Sequence, residues 1–265
     1  NVSVDGGTIK LDGNYPVGTD NVALGNTALD SLTSGSNNVA IGSSAGTAIT
    51  TGAGNTALGY NAGDALTDAD YNVAIGRSAL TSDTLGSRSV AVGYQALAFQ
   101  NFTSATDTYN TAVGHLAGNA VTTGINNTLI GGKSGDALTD GDYNVAVGSS
   151  ALGSDTRGNF STAIGHAALN SQNTTNDTDM YNTAVGYYAG LLVTTGTNNT
   201  LIGGLSGDAI TTGGSNTSVG AYAMTTLTTG SHNVAVGTSA LDVTTTGSSN
   251  VAVGRDALGA NTTAS

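Results

Sequence analysis

Four features of this chain carry residue types that chemistry uses. Gly42-Ser43-Ser44-Ala45-Gly46 has the Gly-x-Ser-x-Gly spacing of a hydrolase nucleophile, a serine on a sharp turn that needs a histidine and an acid beside it. The place of Ser44 is taken elsewhere by Asn61, Gln95 and Tyr188, and no acid–histidine pair accompanies it, so the reading is a polar turn. Gly131-Gly132-Lys133-Ser134 has the tail of a phosphate-cradling loop, but Asn127 stands where the first glycine is required, and the sister segment reads Gly203-Gly204-Leu205-Ser206. His115 and His166 occupy one column of a repeat, three repeats apart, which at one strand spacing per repeat is about 14 Å, too far to share a metal within one chain. Asp64, Asp68 and Asp70, repeated as Asp136, Asp140 and Asp142, place three carboxylates in one turn, the hard oxygen ligands that Ca2+ takes. The plainer reading, a turn rich in Asp because Asp favours turns, is preferred, and Ca2+ is the one cofactor these turns could hold; no catalytic residue is assigned.

What positions these residues is a repeat. The phrase Asn, Val or Thr, Ala, aliphatic, Gly recurs with its glycine at Gly25, Gly42, Gly59, Gly76, Gly93, Gly114, Gly131, Gly148, Gly165, Gly186, Gly203, Gly220, Gly237 and Gly254. Eleven of the thirteen intervals are 17 residues and two, after Gly93 and Gly165, are 21, so a four-coil superrepeat of 72 residues overlies the shorter period. Residues 109–136 and 181–208 run in parallel through Tyr-Asn-Thr-Ala-Val-Gly and Asn-Asn-Thr-Leu-Ile-Gly-Gly. Seventeen residues hold two or three short strands and their turns, one coil of a solenoid, whereas a propeller blade needs about 40.

Composition agrees. All 18 acidic residues are Asp, there are 40 Gly and 1 Pro, and the rest is rich in Asn, Ser, Thr and Val, which favour turns and pleated surfaces over helices. A formal charge of −12 with six basic residues excludes nucleic acid, whose phosphates need Lys and Arg, and anionic lipid. No apolar run approaches the roughly 20 residues that span a bilayer, so membrane insertion is not expected. Without Cys there are no disulfides and no thiolate metal sites.

Each column reads as a physical slot. Alternation places the residue before the key glycine (Leu24, Ile41, Leu58 and so on) and the Val or Thr two before it on one face, and mainly Ala on the other, where another backbone can approach. One strand of about five residues per coil follows. Four residues past the glycine stands Leu or Met, or else Gly; each of the six coils with Gly there (Gly46, Gly63, Gly118, Gly135, Gly190, Gly207) has an aliphatic three residues later (Ile49, Leu66, Val121, Leu138, Val193, Ile210). One interior volume filled from either of two positions explains the exchange. Thr stands eight past the glycine in all twelve coils without an insertion, and a Gly two later predicts positive φ. Stacked Thr and Asn ladders follow, with Ser89 and Ser161 replacing Asn.

The insertions are the candidate contact sites, for a partner chain, a neighbouring fibre protein or a host glycan. Phe99 and Phe102 lie in the first, with Tyr109 just after it; Met180 and Tyr181 end the second. Both are expected to protrude as loops from one side of the rod.

The motif Asn-Val-Ala-Ile-Gly-x-x-Ala at residues 38–45 and 72–79 resembles the head repeat of trimeric autotransporter adhesins. The fuller phrases at residues 55–62 and 182–189 look more like repeats in tail-fibre proteins of marine phages that infect cyanobacteria and other seawater bacteria, which often carry an opening like that of residues 7–16. The resemblance implies an all-β, left-handed parallel β-roll or β-helix, working as a homotrimer. Residues 1–20 would be an N-terminal β segment and residues 21–265 a solenoid of fourteen coils still running at Ser265, so the chain is expected to continue or to be covered there. The function so implied is a non-enzymatic shaft or adhesion segment of a virion fibre supporting host attachment, with other fibre or baseplate proteins and a host surface glycan or protein as partners. A bacterial cell-surface adhesin head is one alternative, and an ice-binding solenoid using its Thr column another.

Overall fold

The computed structural model describes residues 18–260. The expected N-terminal segment falls almost wholly outside these residues. Among them there is no helix, hence none long and apolar enough to cross a membrane. Fourteen three-residue strands, from Val22–Leu24 to Val251–Val253, form one parallel sheet in chain order. The register is unbroken: Val22 lies opposite Val39, Ala23 opposite Ala40 and Leu24 opposite Ile41, and the last pair sets Val234 against Val251. The 17-residue period thus is one coil of a β-solenoid. Fourteen coils, numbered here by their key glycines, make a rod of about 62 Å at the parallel strand spacing.

The strands are shorter than the five residues expected because backbone turns crowd both ends. The key glycines have φ between 120° and 145°. In coil 4, Tyr71 (φ 58°) turns the chain ahead of the strand, and Ser78 (54°) and Leu80 (52°) turn it after Gly76. The Leu80 position explains the Leu-or-Gly exchange from a second side: a left-handed backbone favours Gly, the interior volume favours Leu. Where Gly wins, the space is already taken, since a Cβ on Gly46 would lie 2.9 Å from Ile49 Cδ1 and one on Gly118 2.7 Å from Leu129 Cδ1. Leu129 and Leu201, which replace Ala in their strands, therefore fill interior volume beside such glycines, a third source of filling that the two-slot pattern did not contain. The glycine two past the Thr is not at positive φ, contrary to expectation; it is small because a Cβ on Gly35 would lie 2.3 Å from the Gly52 carbonyl oxygen.

The two faces of the strand also need correcting. The Ala file points into the coil, no more than 1% exposed from Ala40 to Ala252. It packs with the Leu, Ile, Val and Met side chains of the turn in one continuous core. The close backbone approach lies along the rod instead, between the key glycines of successive coils. The Val/Thr and aliphatic files point outward.

Two polar ladders stitch the coils. The Asn127 amide N–H donates to Asn110 Oδ1 (2.9 Å), its Nδ2 donates to the Gly141 carbonyl (2.8 Å), and its own Oδ1 accepts from the Asn144 N–H (2.9 Å). This file is buried along the rod, as it must be satisfied to be. In the Thr file the hydroxyl donates to the carbonyl of the Thr one coil on, as Thr122 does to Thr139 (3.1 Å) and Thr139 to Thr156 (2.8 Å), except that Thr84 and Thr156 donate to the Phe102 and Thr174 carbonyls of the inserted segments.

Candidate functional site

The outer face of the fourteen-stranded sheet runs along the rod without being covered by the chain itself. Its two files hold Val or Thr and Leu, Ile or Val without exception and no charge. Ile130, Ile164 and Ile202 are 38–39% exposed, and Leu24, Leu58, Val113 and Val236 are similarly open. Two files about 7 Å apart, with their flanks, over a rod of about 62 Å give roughly 800 Å². A single apolar patch on a monomer seldom exceeds about 600 Å².

Rings border this face, in one file two residues before the strand and another two residues after it. In the first, Tyr143, Phe160 and Tyr181 stack with centroids 5.1 and 5.3 Å apart, and the Arg88 guanidinium lies 5.1 Å from the Tyr71 ring centroid while pairing with Asp107 at 2.9 Å. In the second, Arg77 lies between Tyr60 and Tyr94 (5.9 and 5.8 Å), Tyr94 stacks on His115 (5.2 Å) and His166 on Tyr187 (5.6 Å). The files are interrupted: at coils 7, 11 and 12 both places lack a ring, held by Asn126 with Gly132, Asn198 with Gly204 and Ser215 with Ala221, and so they do in the first two coils. The chain matches no protein family, no curated protein and no solved structure.

The residues singled out in the sequence are distributed differently from expectation. Phe99 is exposed, but Phe102 folds against the coil and Met180 is fully buried, so neither is available to a partner; this corrects the expectation of contact at both. The insertions are held to the rod by short parallel pairings, Gly86–Ser87 with Thr106–Asp107 and Gly158–Asn159 with Thr178–Asp179. Tyr109 and Tyr181 are exposed and belong to the ring file, each hydroxyl donating to the carboxylate two residues before it, Asp107 (3.3 Å) and Asp179 (3.2 Å). Stacking turns one face of Tyr181 toward Phe160 and so narrows what a sugar ring could cover.

The carboxylates do not form a cage. Asp64 accepts from the Thr81 hydroxyl (2.6 Å), Asp68 from Thr50 (3.1 Å) and Asp70 from the Ala53 N–H (2.7 Å), each toward a neighbouring coil. In the sister turn Asp140 pairs with Arg157 and Asp142 accepts from the Ile125 N–H (2.7 Å), while Asp136 lies near Lys133. Among the described residues no three His or Asp side chains converge on a point where a metal ion could be held. Ser134 is buried with its hydroxyl on the Ala146 carbonyl (2.7 Å), unlike a phosphate-loop serine.

Burial pushes the carboxyls of Asp64, Asp136, Asp142, Asp155 and Asp208 above the ordinary Asp value of 3.8. The folded chain then holds protons that the unfolded chain releases. The stability these groups contribute is complete below the unfolded value and is lost as pH rises through the raised folded values. The thermal midpoint is expected to rise as pH is lowered from 7 toward 4, followed by circular dichroism; a midpoint that falls through this window contradicts the assignment.

Proposed function

We propose that the chain is a non-enzymatic shaft segment of a virion tail fibre or similar appendage, a left-handed β-roll that works as a homotrimer and supports host attachment. The observation that carries this reading is the uncharged outer face of Val, Thr, Leu and Ile. About 800 Å² per chain is what a stable interface commonly buries on each partner, and a surface of ordered, β-branched side chains loses little entropy when covered. The likeness of residues 55–62 and 182–189 to fibre repeats supplies the virion setting and the hand of the coil. Rod geometry also fits a task of length and stiffness, since every coil adds one strand spacing. The Thr column gives no comparable support to ice binding: its hydroxyl protons are engaged in coil stacking and its file is broken by Asn101 and Asn173.

Sedimentation equilibrium tests the assembly. The expected mass is three times 25.8 kDa, falling to a single chain for the triple variant Ile130→Lys, Ile164→Lys, Ile202→Lys with its circular dichroism spectrum retained. A single-chain mass for the unaltered protein at micromolar concentration would rule out the homotrimer.

A further inference from the structure

Each 21-residue coil shares with the coil before it a buried polar cluster that neither the sheet face nor the ladders require. Asp83 and Gln100 stand one above the other at the interior position seven past the key glycine, both fully buried. Gln100 Nε2 donates to Asp83 Oδ2, and its Oε1 accepts from Asn110 Nδ2 (2.9 Å). Asp83 Oδ1 accepts from the N–H groups of Gly86 (3.0 Å) and Phe102 (3.1 Å). Ser89, which replaces Asn in the buried ladder, is too short to continue it, and Gln100 Nε2 reaches its hydroxyl at 2.9 Å. Asp155, Gln172 and Ser161 repeat the arrangement, with Gly158 and Asn182 as partners.

A solenoid of near-identical coils has many stacking orders of similar energy, because an aliphatic side chain packs almost as well on the wrong Leu as on the right one. Polar groups break that degeneracy. If coil 5 were looped out, the residue above Asp83 would be Val121, which has no donor; if coil 4 were looped out, Leu66 would lie against Gln100. Either slip removes the Asp83–Gln100 bond and sets a buried polar side-chain atom against an aliphatic group, a far larger penalty than exchanging one aliphatic for another.

We propose that the Asp83–Gln100–Ser89 and Asp155–Gln172–Ser161 clusters are register keys, which admit one stacking order for the coils around them and reject slips of one to three coils. A slip of four coils would set Asp83 on Gln172 and satisfy the key, but it leaves four coils outside the array and forfeits their burial. Two keys four coils apart therefore hold the long array in phase.

The chain has no Cys, so engineered pairs report stacking cleanly. Ser82 and Ala120 occupy the same column two coils apart, about 10 Å, beyond the roughly 7 Å reach of a disulfide, and become neighbours only if coil 5 is skipped. The pair Ser82→Cys with Ala120→Cys therefore reports the slip, and Ser82→Cys with Phe99→Cys reports native stacking. After refolding under oxidising conditions, the expected result is no disulfide in the slip-reporting pair when the key is intact. With the key removed (Asp83→Val, Gln100→Leu, Ser89→Asn), at least a tenth of the slip-reporting chains should carry that disulfide, while most of the separate native-reporting chains still form theirs. No increase in the slipped bond overturns the proposal. Should the keyless chain form neither bond, the second key is tested alike (Asp155→Val, Gln172→Leu, Ser161→Asn, with Ser154→Cys and Leu192→Cys); failure to fold there too would mean that the clusters hold the fold and not its register.

Discussion

Gly131→Ala is expected to destabilise the protein by about 3–5 kcal/mol, while Gly132→Ala, one residue on, should change it by no more than about 0.5 kcal/mol. Gly131 sits at φ 136°, and a Cβ there would lie 2.5 Å from the Gly148 carbonyl oxygen and 2.6 Å from its carbon. The obstacle is backbone of the next coil, so no rotamer change relieves it. A Cβ on Gly132 meets nothing within 4 Å. Denaturant unfolding of the two variants measures the contrast, and near-equal midpoints would mean that successive coils are not in contact at the key glycine.

Gln100→Leu should cost about 3–5 kcal/mol, because it leaves the Asp83 carboxylate buried without its side-chain donor and Asn110 without one acceptor. The same change in an Asp83→Val background should cost less by about 2 kcal/mol, the coupling expected of directly bonded buried groups. Denaturant melts of the four chains close the cycle; additive losses would show that the two side chains act independently.

The period, the coil count and the exchange of Gly for Leu were legible in the sequence, because fourteen copies report what each slot tolerates. Which face of the strand points inward was not. Both faces are apolar, and alternation says only that Ala and Val or Ile lie on opposite sides; the choice is made by the tight turns, which leave an interior narrow enough for Ala at Ala146 and Ala163 and push Ile130 and Ile164 outward. Asp83 and Gln100 resembled surface residues by type. Their signal was the joint occurrence of Ser89 with Gln100 and of Ser161 with Gln172, in the only two coils that lack the ladder Asn. Phe102 and Met180 were misplaced because an inserted segment was read as a protruding one, whereas its two-residue pairings to the preceding coil fold those side chains back. The ring files, too, are visible once columns are aligned: Tyr143, Phe160 and Tyr181 are successive occupants of one place.

That successive coils lie directly on one another is measured most directly by pulsed electron–electron distances between spin labels in one column, in labelled chains diluted with unlabelled protein. Thr123→Cys with Thr212→Cys spans five coils, and Ser34→Cys with Thr212→Cys spans ten. At one strand spacing per coil the two distances should be about 24 and 48 Å, narrow and in a ratio of two. Distances that do not grow with the number of intervening coils would contradict the stacked solenoid.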